Sequence, residues 1–300
     1  MSRTNKRKRK KIITAIAVMI ILCLLAAVSI VSTVKKRAAE AREAEIAEQQ
    51  AAEAAAQQAA EEEEKKAAEK SEHILAYRGS SEDGLYTMAS YENAVAAGAG
   101  SIVLPFVVSQ EGTLYVADDD YALDLTGYGG YFSGMIDSQI ENLETKSGTK
   151  VLKLSEVFEK FGTDVKYVID LRYTSERNQE ALRKFLEENG NEDSISVACS
   201  YFSGLRALES SLPDVPKIFI CSEAATFNEA KLADYVDVIS VDKQMMSKEL
   251  CDDAHKYEKK FGAWTLNSAD EVKQALDMGA DSFFTDEVAT AVEAEKGTEE

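Results

Sequence analysis

The chain has 300 residues and a formal net charge of −19 at pH 7. A surface this acidic repels polyanions, so the composition argues against DNA or RNA as a partner. The four cysteines are too few for a disulfide framework. We expect Cys199, Cys221 and Cys251 to be small core side chains, and one bridge between Cys199 and Cys221 is an open alternative.

The N-terminal residues predict a membrane anchor. Residues 1–11 contain seven Lys or Arg residues and no acidic residue, which predicts a cytoplasmic head. Residues 12–34 form an uncharged, mostly apolar run of 23 residues, and a helix needs about 20 residues to cross a bilayer. A cleaved signal peptide is the alternative, although its apolar core is usually only about 7–15 residues long. We therefore expect a single-pass protein of the cell membrane, at a bacterial cell surface, with the remaining chain outside the cytoplasm.

Residues 35–72 have the composition of a solvated helix. They are mostly Ala, Glu, Gln, Lys and Arg, which are strong helix formers, and they contain no Gly or Pro. The only large apolar residue is Ile46, so there is no heptad seam for a strong coiled coil. The segment predicts a helical stalk, with a weak Ala-based coiled coil as the alternative.

Residues 73–300 alternate apolar runs with amphipathic stretches. The predicted strands are residues 74–77, 101–106, 167–171, 195–200, 218–221, 236–241, 262–266 and 282–285. The predicted helices are residues 85–97, 154–161, 176–189, 204–210, 226–235, 245–261 and 269–278, followed by a last helix after residue 286. Eight such alternations in about 225 residues predict an α/β fold of the (β/α)8 TIM-barrel type. Residues 113–144, rich in Gly, Tyr and Asp, interrupt the alternation and are predicted to form an extended loop.

Four segments resemble those of one enzyme family. Trp264-Thr265-Leu266-Asn267 and the run from Gly279 to Asp286 resemble the WTVN and GxDGxxTD segments of the glycerophosphodiester phosphodiesterases. Tyr77-Arg78-Gly79 is similar to the family's HRG, and residues 152–158 are similar to the stretch before its third strand. The resemblance covers about residues 74–290. It implies a barrel that cleaves glycerophosphodiesters to glycerol 3-phosphate and an alcohol, with a divalent metal ion and two histidines.

The positions matching the family's two histidines carry other residues. The first matches Tyr77, and the second matches Asp118, which the retained Asp119 follows. Of the two histidines in the chain, His73 precedes Tyr77 by four residues, which is about 13 Å along a strand, and His255 falls on a predicted outer helix. Because proton transfer needs contact at about 3 Å, we assign no catalytic residue and regard Tyr77 and Asp118 as degenerate positions.

The inherited metal ligands are also mostly replaced. The matching positions hold Leu85, Val103 and Pro105, and only Asp170 keeps a carboxylate. A hard cation such as Ca²⁺ or Mg²⁺ prefers several oxygen ligands. Asp170 is therefore the single candidate metal ligand, for a divalent ion that would be needed only if the protein is active. The acidic run at residues 118–120 could hold a cation elsewhere or form a solvated loop.

The positions that hold an anion persist better. Arg78 and Arg172 match positions that contact phosphate in the family, and arginine suits bidentate contacts to oxyanions. We expect Asp119 and Trp264 to complete a ligand site, with Trp264 as the floor of the pocket. In the alternative, both arginines pair with nearby aspartates and close the mouth of the barrel.

These observations favour a membrane-anchored barrel that is a catalytically impaired pseudo-phosphodiesterase. Its expected partner is a phosphodiester, phosphate or other anionic ligand, or an envelope protein. One alternative is a divergent metal-dependent glycerophosphodiester phosphodiesterase of lipid headgroup metabolism. Another is a structural element of an envelope complex, in which the stalk is the working part.

Overall fold

A computed structural model describes residue 42 and residues 70–79, 84–189 and 192–297. The predicted head at 1–11, the predicted transmembrane helix at 12–34 and most of the predicted stalk at 35–72 lie outside these residues. No helix in the described part of the chain is long and apolar enough to cross a membrane. The first strand begins at Ser71, so the barrel starts slightly before the predicted boundary at residue 73.

The fold is a closed barrel of parallel strands. The strands are β1 (Ser71–Tyr77), β2 (Ala99–Val108), β3 (Leu114–Val116), β4 (Lys166–Asp170), β5 (Ile195–Cys199), β6 (Lys217–Cys221), β7 (Val238–Asp242), β8 (Lys260–Trp264) and β9 (Ser282–Thr285). All except β3 pair in parallel, and β1 pairs with both β2 and β9, which closes the barrel. The predicted (β/α)8 TIM barrel is thus confirmed.

Most helices follow a barrel strand and form the outer layer. The helices are α1 (Met88–Ala96), α2 (Leu123–Thr126), α3 (Asp137–Ile140), α4 (Leu154–Phe161), α5 (Glu176–Asn189), α6 (Phe202–Glu209), α7 (Ala224–Ala230), α8 (Lys248–Lys256), α9 (Ala269–Met278) and α10 (Val288–Lys296), with 3-10 turns at Phe132–Gly134 and Glu192–Ser194. Of these, α2 and α3 lie within residues 113–144. Helix α9 illustrates how local sequence sets the ends. The Ser268 hydroxyl accepts the Glu271 N–H at its start, and Gly279 ends it at a φ of 86° that favours glycine.

The inside of the barrel is apolar below its mouth. One residue from each of seven strands forms this inner cluster: Leu75, Val103, Val168, Ala198, Ile218, Val238 and Phe284. Tyr77, Ile220 and Trp264 pack against it and are only partly buried. Because side chains alternate along a strand, residues two positions further on, such as Asp170 after Val168, face the mouth.

The predicted extended loop at residues 113–144 is instead a folded insertion. Strand β3 pairs antiparallel with the end of β2. The Asp137 carboxylate accepts the hydroxyls of Ser109 and Thr113, both at 2.5 Å, which fixes the hairpin to α3. The insertion has its own buried cluster, which consists of Val107, Tyr115, Ala117, Ala122, Phe132, Met135, Ile140 and Val151. A three-residue strand and four-residue helices are too short to show a periodic pattern, which is why the sequence did not predict them.

The cysteines outside the predicted anchor are buried free thiols. Cys199, Cys221 and Cys251 form no disulfide. Cys199 pairs in register with Phe219 on the neighbouring strand, two residues before Cys221. The Cys199 sulfur accepts the N–H of Tyr201, and burial raises the pKa of this thiol to about 11. These are core side chains, as expected, and not a bridge.

We expect these thiols to resist modification in the native protein. Alkylation of the folded full-length chain near pH 8 should leave Cys199, Cys221 and Cys251 unmodified, because all three thiols are buried and a reagent cannot reach them. Peptide mass spectrometry after unfolding without a reductant should then find all three alkylated. Recovery of a Cys199–Cys221 cross-linked peptide would contradict the structure.

Candidate functional site at the barrel mouth

The carboxyl ends of the strands surround a cavity of about 410 Å³, here called the mouth cavity. Its lining residues are Tyr77, Asp170, Arg172, Ser200, Tyr201, Ile220, Trp264, Thr265 and Phe284. Four residues singled out from the sequence, namely Tyr77, Asp170, Arg172 and Trp264, therefore meet at one place. The lining combines one ion pair with aromatic walls and hydroxyls, as small-molecule sites commonly do.

Arg172 is held by two neighbours at the edge of this cavity. Its Nε donates to the Asp170 carboxylate at 2.9 Å, and an Nη donates to the Tyr77 hydroxyl. Burial raises the pKa of Asp170 above its usual value, although the adjacent Arg172 opposes the shift. Burial also raises the pKa of Tyr77, so its phenol stays protonated near neutral pH. Arg172 thus links Tyr77 to Asp170 at the place where the family is expected to transfer protons.

Arg78 makes a second ion pair beside the first. Its Nε and Nη2 donate to both oxygens of Asp286, at 3.0 and 2.7 Å. Asn267 donates to the same carboxylate through Nδ2 at 3.1 Å, and its Oδ1 accepts the Asp286 backbone N–H at 3.0 Å. The Arg78 guanidinium lies 5.0 Å from the centre of the Tyr77 ring. Arg78 does not line the mouth cavity, so its side chain fixes the ends of β1, β8 and β9 to one another.

The acidic run at residues 118–120 mostly makes hydrogen bonds that stabilise the insertion at residues 113–144. The Asp119 carboxylate accepts the Tyr173 hydroxyl at 3.0 Å and the Tyr121 N–H at 2.9 Å. Asp120 accepts the N–H and hydroxyl of Ser133. Asp119 therefore lies outside the lining of the mouth cavity, and its predicted ligand role has no geometric support. Its geometry is that of a turn-forming aspartate.

Asp118 faces a tyrosine that the sequence did not single out. Tyr86 is almost fully buried, and its phenol lies close to Tyr77 and Asp118. Burial, together with the nearby Tyr77 and Asp118, raises the pKa of Tyr86 well above its usual value. Tyr86 also has a positive φ of 59°, which is uncommon for a residue with a side chain. An aromatic residue in a turn carries no sequence pattern that distinguishes this position.

The residues at the mouth do not fit the divalent cation that the resemblance implies. In the β2–β4 pairing, Val103 lies opposite Val168 and Pro105 lies opposite Asp170, so the β2 residues at the matching positions offer no side-chain oxygen beside Asp170. Asp170 itself pairs with Arg172. Among the described residues, no group of three His, Cys, Asp or Glu side chains could hold a metal ion. Asp170 is thus a poor candidate ligand, because a cation would compete with the guanidinium for its carboxylate.

The two histidines lie away from the mouth. His73, near the start of β1, contacts Glu295 of α10 at 2.5 Å. His255 of α8 contacts Asp281 at 2.7 Å, and that carboxylate also accepts the Phe261 N–H. Both pairs lie where the strands begin, opposite their carboxyl ends. Neither imidazole can serve as an acid or base at the mouth, as the sequence indicated.

Comparison with known proteins identifies the same family that the motifs resembled. Residues 78–290 match the model of the Glycerophosphoryl diester phosphodiesterase family. No curated protein matches the sequence significantly.

Several solved structures share the fold. A putative glycerophosphoryl diester phosphodiesterase from Agrobacterium tumefaciens is 16% identical, with a TM-score of 0.70 over 76% of this chain and 99% of that chain. A phosphodiesterase from Oleispira antarctica, in complex with its product sn-glycerol-3-phosphate, is 17% identical, with a TM-score of 0.68 over 75% and 96%. A glycerophosphodiester phosphodiesterase from Thermotoga maritima is 20% identical, with a TM-score of 0.63 over 73% and 96%. At these identities the likeness establishes the fold alone.

Proposed function

Because the chain belongs to the glycerophosphoryl diester phosphodiesterase family, we propose that its barrel binds a phosphodiester or phosphate monoester at Arg172 without cleaving it. One observation carries the loss of cleavage: Arg172 donates hydrogen bonds to both Asp170 and Tyr77 where an acid and a base are needed. General acid–base catalysis requires groups whose pKa values lie near the working pH. A buried phenol with a raised pKa does not meet that requirement.

The same network supports anion binding. A guanidinium has five N–H donors, and the contacts of Arg172 with Asp170 and Tyr77 use two of them. Its side chain is 36% exposed, so the remaining donors can reach a ligand. Ser200 and Thr265 add hydroxyls to the cavity lining, and Tyr201 and Trp264 add aromatic walls for a glycerol backbone. The Oleispira antarctica relative, which holds sn-glycerol-3-phosphate, suggests the ligand class.

The proposal includes a location at the cell membrane. It rests on the seven basic residues of the first eleven and on the uncharged run of 23 residues that follows them. The barrel would then lie outside the cytoplasm. Protease treatment of intact cells should digest the barrel and spare an N-terminal fragment; protection of the barrel until lysis would reject this location.

The hydrolysis test uses the purified full-length chain. Release of sn-glycerol 3-phosphate from a panel of glycerophosphodiesters should not exceed that of a protein-free control, with Ca²⁺, Mg²⁺ or Mn²⁺ present. Binding of the same compounds is followed by the fluorescence of Trp264, the only tryptophan in the chain. Turnover that EDTA or Asp170→Asn removes would identify a divergent metal-dependent hydrolase. Absence of both turnover and binding would reject the ligand role and favour a scaffold.

The raised pKa of Asp170 predicts how binding depends on pH. As the pH falls through that pKa, Asp170 takes up a proton and Arg172 loses its internal counter-charge. A phosphodiester keeps its own charge in this range, so its affinity should rise when titrations are repeated from about pH 7 to about pH 4. In Asp170→Asn the affinity should vary much less with pH. An unchanged pH profile in that variant would show that another group is responsible.

A further inference from the structure

A second, smaller cavity adjoins the mouth cavity. It has a volume of about 220 Å³ and is here called the side cavity. Ser200, Ile220 and Trp264 line both cavities, so the two cavities are adjacent at these side chains. The side cavity adds Phe219, Ser222, Glu223 and Thr226, from the end of β6 and the start of α7. A ligand larger than one phosphate group can therefore extend past Trp264.

The charged side chains that line the two cavities carry a net negative charge. Asp170 and Arg172 neutralise each other, which leaves Glu223 as the remaining charged residue of the lining. Glu223 is the N-cap residue of α7, yet its side chain caps none of the helix N–H groups. Within the described residues it also makes no ion pair, and it is exposed to solvent. This carboxylate is available to a ligand.

Trp264 lines the mouth cavity with Arg172 and the side cavity with Glu223, and a hydrogen bond holds its side chain. Its indole Nε1–H donates to the backbone oxygen of Ser240 at 3.1 Å. The indole face is the strongest cation-binding surface among the aromatic side chains. A carboxylate and an indole on one cavity together suit an ammonium group, whereas a second phosphate would be repelled.

We propose that the side cavity is a subsite for an ammonium group of the ligand whose anionic group lies at Arg172. The ligand class is then a phosphodiester with a cationic head, held across Trp264 by opposite charges at its two ends. This inference rests on the proposed function, because it assumes that Arg172 binds the phosphate. Glu223 is the residue that determines head-group specificity.

The test compares two phosphodiesters that differ in the head group. Trp264 fluorescence of the full-length chain is titrated with glycerophosphoethanolamine, which carries an ammonium group, and with glycerophosphoglycerol, which does not. We expect the first to bind about tenfold more tightly at low salt, and the difference to shrink as salt screens the exposed carboxylate. In Glu223→Gln the two affinities should agree within about twofold. The matched control is Glu229→Gln, which removes an exposed acid from the same helix outside both cavities and should retain the preference.

Each outcome has a distinct meaning. Equal binding of both compounds by the native chain would overturn the ammonium subsite and leave the proposed function intact. A preference that persists in Glu223→Gln would also overturn it, because the selectivity would come from other residues. Failure of both compounds to bind would overturn the proposed function and the subsite together. Circular dichroism of each variant establishes that the fold is retained.

Discussion

Replacing Lys217 with methionine should lower the free energy of unfolding by about 3–5 kcal/mol. Lys217 is only 2% exposed although it carries a charge. Its Nζ donates to the backbone oxygens of Leu212 and Val215, both at 3.0 Å, and pairs with Glu209 at 2.9 Å. Methionine fills a similar volume but leaves these acceptors without a donor, which is the costly part of the change.

The loss should appear as a lower denaturant midpoint with an unchanged slope in a urea titration of the full-length chain. Lys248→Met is the matched control, since Lys248 pairs with Asp252 one turn along an exposed helix face. That change should leave the midpoint within experimental error, because exposed pairs contribute little. Equal midpoints for both variants would mean that water replaces the Lys217 ammonium in the native state.

Replacing Arg172 with methionine should weaken binding of glycerophosphodiesters by about 100-fold. Among the described residues, Arg172 is the only cation that lines the mouth cavity, and the change also leaves the Asp170 carboxylate without its partner. The titration uses Trp264 fluorescence, as above. The affinity of Arg172→Lys should lie between those of the native chain and Arg172→Met, because an ammonium keeps the charge but loses the planar arrangement of donors.

Arg206→Met is the control for loss of one positive charge. Arg206 lies on α6, where its guanidinium is 5.2 Å from the centre of the Tyr235 ring, and it lines neither cavity. The Arg206→Met variant should bind glycerophosphodiesters with the affinity of the native chain. If Arg206→Met and Arg172→Met weaken binding equally, the anion is held by the general field of the surface and not by the mouth. A thermal melt of each variant separates lost binding from lost folding.

Much of the barrel could be predicted because its strands and helices carry strong local patterns. Helices α4, α5 and α9 have the predicted bounds. Strand β7 begins at Val238, two residues after the predicted start at Val236. Val236 is fully buried although it lies in the turn after α7. An apolar run in the sequence indicates buried residues and not strand conformation as such. The buried residue before β7 therefore moved the predicted start of the strand two residues too early.

The sequence predicted which residues form the candidate site better than it predicted which of their side chains contact one another. Motif matching located Tyr77, Asp170 and Arg172, and parallel strand ends necessarily meet at the mouth. Which acid pairs with which arginine depends on side-chain directions that adjacent strands impose, and Asp286 lies 208 positions from its partner Arg78. Glu223 was missed for a related reason: it belongs to no family motif, and its relation to Trp264 exists only in the closed barrel.

Closure of the barrel also limits how the protein can associate with others. Each described barrel strand pairs on both sides, so none offers the unpaired backbone groups that an incoming strand would need. The short β3 is covered as well, since the Val116 N–H donates to the Leu152 oxygen and Tyr115 bridges to Lys153. Strand addition and edge-to-edge aggregation are therefore disfavoured for this barrel. A protein partner must recognise side chains and loops.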